Sequence, residues 1–225
     1  MRTSIYIKVA TLLIITTVIG CKDQKQGMSQ SAPKYYATEN EAIDKAKSDL
    51  LSIIRTSKGL SLGVDEKALQ EAKPGAAVKQ SNIDFEKLLT ADSSSSFEGI
   101  KKGEMATIFP LVAGDRVVTV VELNKDEKGW SIAGLAGKSI ANDLNTIKTV
   151  VGPDAEISVY DIPNLQVKVF GVKKDGAEIF YTDYGGQFSL RQGVNASQLM
   201  PVLAKAAQEF QRLYGDELKK QRLVK

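Results

Sequence analysis

The chain has 225 residues, 43% hydrophobic and 25% charged, with a formal net charge of +3, the profile of an ordinary globular protein. It contains no histidine and a single cysteine, Cys21. Without histidine there is no imidazole base, no Ser-His or Cys-His nucleophile pair and no histidine-containing zinc site; one cysteine excludes an internal disulfide, a CxxC redox pair and a four-cysteine metal site.

Arg2 and Lys8 precede VATLLIITTVI, Val9 to Ile19, eleven residues without a charge. A basic segment followed by a short apolar one is the pattern of a secretory signal, and it falls short of the ~18 to 20 apolar residues that cross a membrane. Val18-Ile19-Gly20-Cys21 follows. These four residues resemble the lipobox of bacterial lipoproteins, where a small residue precedes the cysteine that is lipidated. The resemblance covers only about the first two dozen positions; Val18 stands where leucine is commonest. It implies cleavage before Cys21, a diacylglycerol on the Cys21 thiol and an acyl chain on its new amino group, and hence a membrane anchor. Each buried methylene adds about 0.8 kcal/mol, so several chains together hold firmly. The expected signal is 1–20. Its loss removes Arg2 and Lys8 and lowers the net charge from +3 to +1, which takes away the main support for a nucleic-acid partner. Lys22-Asp23 looks like a shortened form of the signal on surface lipoproteins of the Bacteroidota, and it favours the outer membrane with the face left open.

Residues 21–37 read as a flexible tether rich in Gln, Ser and Lys. Tyr35 and Tyr36 have two places to dock, the domain or lipid headgroups. From 38 to 225 a single α+β domain is expected, with possible halves 38–152 and 153–225. Thr38-Glu39-Asn40-Glu41 has capping-box form and opens a helix with the stripe Ile43, Ala46, Leu50, Leu51 and Ile54, stopping at Gly59. Leu60 to Val64 is a short strand or a loop. Asp65 caps a helix over 66–73, a third short helix runs from Phe85 to Leu89, and Ser93 to Ser96 is a linker.

Beyond Met105 the period becomes alternating. MATIFPLV and VVTVVELN are strands joined at Ala113-Gly114-Asp115-Arg116, with Pro110 predicting an edge or a bulge, and NKDEKG leads to WSIAGLA. Ser139 is expected to cap a helix with the stripe Ile140, Leu144, Ile147 and Val151. EISVYD, QVKVFGV and AEIFYTD repeat the grammar, and Asn195 to Gln198 opens the longest helix, to about Tyr214, with Pro201 bending its early turns. The likeness of VTVVELNKDEKGWSIAGLAG to VKVFGVKKDGAEIFYTDYGG is a weak pseudo-repeat. Consecutive strands with tight turns predict a mostly antiparallel sheet packed on amphipathic helices.

The candidate sites are few. Gly137-Lys138-Ser139 lies where a phosphate loop would, but the glycine required five residues earlier is Ile132, so capping is the better account. Asn124 to Gly129 departs from a calcium loop at Lys128 and Leu135. No metal site and no cofactor are expected. Asp161, Asp183 and Glu122, near strand ends, are the first suspects for a carboxylate-dependent hydrolase. Phe180, Tyr181 and Tyr184 make the last strands aromatic, and alternation points Phe180 and Tyr181 to opposite faces; an exposed one would bind a partner or ligand, and a second covering layer would bury it. Lys219, Lys220, Arg222 and Lys225 form a basic tail that either touches lipid or a partner or stays solvated. The leading expectation is a membrane-anchored envelope lipoprotein acting as a non-enzymatic binding or scaffold module. Its partners would be the membrane through the lipid and an unknown envelope protein or ligand, with no nucleic acid.

Overall fold

The computed structural model describes residues 34–57, 62–174 and 176–222, with the backbone alone for Lys174 and 216–222. Cys21 and the signal lie outside the described residues. Among those described, no helix is long and apolar enough to cross a membrane.

The fold is α+β, and its strands form one mostly antiparallel nine-stranded sheet. In chain order the strands are β1 (Tyr35–Tyr36), β2 (Lys73–Pro74), β3 (Val78–Ile83), β4 (Lys101–Ala113), β5 (Arg116–Asp126), β6 (Gly129–Leu135), β7 (Ile157–Ile162), β8 (Val167–Lys174) and β9 (Ala177–Tyr181). Their spatial order is β1-β6-β5-β4-β3-β7-β8-β9, with β2 paired to β4. The meander β4-β5-β6 and the meander β7-β8-β9 are joined by β3, which is antiparallel to β4 and parallel to β7. The sequence reading assigned no strand here. VKQSNI carries Gln80, Ser81 and Asn82 at its middle, so it lacks the apolar alternation by which strands are recognised.

The helices are α1 (Glu39–Thr56), α2 (Glu66–Glu71), α3 (Phe85–Leu89), α4 (Phe97–Ile100), α5 (Lys138–Val151) and α6 (Ala196–Arg222). Neighbouring residues of a strand point to opposite faces, and three cores follow from that alternation. Ile108, Val120, Val159 and Phe170 meet α5 through Ile140, Leu144 and Ile147 on one face. On the other face Phe109, Leu111 and Val121 meet α1 and α2, while Tyr160, Val169 and Phe180 meet α3, α4 and α6. Each meander is followed by a helix, but α5 and α6 cover opposite faces of the sheet.

Several local expectations are corrected. The Thr38 hydroxyl does accept from the Glu41 amide, and the Glu41 carboxylate reaches back to Ala37 N. The segment 34–36 is not tether: β1 pairs Tyr35 with Ser131 and Tyr36 with Trp130, so both tyrosines dock on the domain. Ser139 is not a cap; Gly137 holds that position without a side-chain hydrogen bond, and Ser139 is exposed. The linker 93–96 ends in Ser96, which caps the short α4. Pro110 is in an interior strand, at the point where β4 changes partner from β3 to β2. Its carbonyl accepts from Gly75 N at 2.7 Å, and the bulge follows at Leu111/Val112. Helix α6 continues past Tyr214 to Arg222 with Pro201 in its early turns.

One side chain substitutes for a strand. β6 stops at Leu135, opposite Val121, so among the described residues the start of β5 has no strand on that side. There Asn145 of α5 accepts from Val117 N and donates to Val117 O, both at 2.8 Å. Asn145→Ala leaves both backbone groups unpaired and is expected to cost about 1–3 kcal/mol. Thr149→Ala, on the exposed side of the same helix, stays within about 0.5 kcal/mol of wild type. Urea unfolding of the two variants checks this.

Candidate binding site

The aromatic residues singled out in the sequence do not form a binding face. Phe180 is 3% exposed and Tyr181 6%. They do point to opposite faces, and each face is covered. Phe180 stacks on Phe97 of α4 at 4.5 Å, and Phe97 also contacts Tyr160 at 5.0 Å. Tyr181 belongs to the α5 core, and its ring lies against Gly193, where an added Cβ would sit 3.0 Å from the hydroxyl. Tyr184 is half-buried against the α6 core. The sheet has helices on both sides, so a strand alternating aromatic residues buries all of them.

The suspected acids are not brought together: β4 and β3 separate Glu122 on β5 from Asp161 on β7. Asp161 lies on β7 beside Lys168 of β8, whose ammonium is 2.6 Å from its carboxylate, and it accepts from Gln80 Nε2 at 3.1 Å. Asp183 follows the end of β9, and Glu122 on β5 lies opposite Gly134. The sequence reading missed Asp143 of α5. Burial, then the like charge of Asp183, pushes its carboxyl up to about 6, with Lys168 opposing. Among the described residues no group of three acids could hold a metal ion.

Two concavities border β3, and their polar groups differ in kind. The first, about 360 Å³, crosses the sheet on the face away from α5, between the two helix layers. Its floor is self-satisfied: Lys79 pairs with Glu104 at 3.2 Å, Lys101 with Glu98 at 2.5 Å and Lys173 with Glu156 at 3.3 Å. The Tyr160 hydroxyl donates to Glu178 at 2.9 Å. Burial, and then that hydrogen bond, holds the phenol above its ordinary range. Gly171 makes room for this pair, since a Cβ there would lie 2.2 Å from Glu178 Oε1.

The second concavity, about 330 Å³, opens at the C-terminal ends of the parallel strands β3 and β7. Asn82 to Asp84 and Pro163-Asn164 form two walls, Phe85 and Glu86 of α3 a third, and Lys102, Gln211 and Gly215 complete it. Here Asp84 is engaged as the cap of α3, and other polar side chains are uncommitted. The Asn82 carboxamide oxygen is buried without a partner. Lys102, Asn164 and Gln211 make no side-chain hydrogen bond or ion pair to any described residue. Gly215 keeps space for the Gln211 amide, which an added Cβ would meet at 2.7 Å. Phe85 is fixed by its edge contact with Phe210 at 5.7 Å.

Sequence reasoning missed this site because residues 82, 164 and 211 converge only through the parallel register of β3 on β7 and the docking of α6 on α3. The one local signal was the polar run Gln80-Ser81-Asn82 between Val78 and Ile83. Gln80 Oε1 and Thr119 Oγ1 are the other buried, unpartnered side-chain oxygens among the described residues. Comparison with protein-family models, curated proteins and solved structures finds no match.

The acid cluster gives a pH signature. A carboxyl whose pKa is raised on folding stabilises the fold fully below the unfolded value of 3.8, and that contribution is lost as pH rises through about 6. Asp143→Asn is therefore expected to raise Tm at pH 7.5 more than at pH 4. Equal shifts at both pH values would contradict it.

Proposed function

We propose that this protein is a lipid-anchored lipoprotein of the cell envelope, held in the outer membrane through Cys21, whose folded domain is a non-enzymatic binding module. The support for the anchor is the order and spacing of the basic segment, the apolar segment and Val18-Ile19-Gly20-Cys21. The observation that carries the binding reading is the concavity at the ends of β3 and β7, where Lys102, Asn164 and Gln211 converge without a side-chain hydrogen bond or ion pair to any described residue. The neighbouring groove shows that the same sheet can satisfy its polar groups internally.

A carboxylate-dependent hydrolase is the second reading. One observation favours it: burial and the like charge of Asp183 push the Asp143 carboxyl up to about 6, where a carboxylic acid can serve as a proton donor. Loss of a measured hydrolysis in Asp143→Asn would establish this reading in place of the first.

The anchor and the binding are tested separately. The protein is expected to stay with membranes through high-salt washing and to leave them in detergent, while Cys21→Ser accumulates in the soluble fraction; release of the wild type by salt alone contradicts lipidation. Affinity capture from detergent-solubilised membranes is expected to return a specific partner or ligand, and none across several conditions would overturn the binding reading.

A further inference from the structure

We infer that the concavity at the C-terminal ends of β3 and β7 takes a saccharide, a neutral ring carrying adjacent hydroxyls. This rests on the binding-module reading and narrows it to a ligand class. The lining chemistry makes the choice. Asn164 and Gln211 are carboxamides, each carrying an acceptor oxygen beside a donor nitrogen, and a third carboxamide, Asn82, lines the wall with its oxygen sealed inside. Adjacent hydroxyls each donate and accept, so they match that pairing, whereas an anion uses only the donors and a cation only the acceptors.

The charges of the pocket reinforce this. The lining carries Lys102 together with Glu86 and Asp84, and the Asp84 carboxylate is already engaged, accepting from the amides of Glu86 and Lys87 as the cap of α3. Neither a phosphate nor an ammonium group finds a site of one sign. Phe85 gives the pocket an apolar wall against which the C–H face of a sugar ring packs. The volume of about 330 Å³ lies at the lower end for small-molecule sites and admits a pyranose ring. The groove on the other face has the opposite character: its charges pair with one another, Lys79 with Glu104 and Lys173 with Glu156.

The position of Asn82 adds a second argument. Its carboxamide oxygen is buried and unpartnered, a state that an apolar side chain of similar shape avoids. Asn82→Leu is therefore expected to keep or raise Tm while removing a ligand contact, the signature of a residue kept for binding rather than for the fold.

Saturation-transfer NMR on the full-length protein in detergent micelles tests the inference. The probes are glucose, N-acetylglucosamine and their β-1,4 disaccharides, with adenosine and glycyl-lysine as the competing classes. Transfer to the ring protons of a saccharide is expected, with affinity weakened at least tenfold in Asn82→Leu and in Gln211→Ala. Gln211 lies on α6, so its truncation serves if the change in β3 impairs folding. Saccharide transfer undiminished in both folded variants would overturn the site. Transfer only to adenosine or glycyl-lysine would overturn the saccharide and leave the binding module standing. Silence from every saccharide, with a specific partner recovered by affinity capture, has the same meaning; silence together with an empty capture removes both.

Discussion

The domain depends on the hydrogen bonding of β3. This six-residue strand pairs antiparallel with β4 on one side and parallel with β7 on the other, and among the described residues no other strand connects the two meanders. Its backbone groups are spent on that double pairing, so its side chains are held in the middle of the sheet whatever their polarity. Val78 and Ile83 fit the cores at either end. Gln80 and Asn82 are placed by the same alternation towards the α5 face, and Lys79 and Ser81 towards the groove between the helix layers. The polar middle of one central strand thus sets where both concavities lie.

The two concavities show how a protein can answer the same problem in two ways. In the groove, lysines and glutamates of neighbouring elements pair with one another, and the Tyr160 hydroxyl donates a hydrogen bond to Glu178. At the strand ends the side chains come from β3, β4, α3, α6 and the turn after β7, which approach from several directions and leave an opening instead of a paired network. Partial exposure lets water serve most of these groups in the free protein. The Asn82 oxygen is sealed inside the wall, as Gln80 Oε1 and Thr119 Oγ1 are elsewhere in the sheet.

What the sequence made legible was local. Thr38 and Asp65 mark helix starts through hydroxyl and carboxylate caps, the stripe Ile140, Leu144 and Ile147 marks the buried side of α5, and Gly114-Asp115 and the Asp126 to Gly129 turn mark hairpins. The antiparallel α+β architecture follows from those features. The central strand was not legible, because its partners supply the burial that its own residues do not advertise. Ser139 was misread because a serine near a helix start caps only if its backbone lies outside the helix, and here the helix has already begun at Lys138. Phe180 and Tyr181 alternate as expected; what alternation cannot say is that α4 and α5 cover both faces. The suspected acids Asp161 and Asp183 do lie on one face, but their partners Lys168 and Asp143 come from other elements.

The account's central claim is that the opening at the ends of β3 and β7 is kept for a ligand. The most direct measurement is a high-resolution crystal structure of the protein purified from its own membranes, read at Asn82, Asn164 and Gln211. The account predicts a polar non-protein molecule hydrogen-bonded to these carboxamides, with the ion pairs of the groove intact. A pocket closed by the protein's own side chains, with the Asn82 oxygen bonded to one of them, would contradict it.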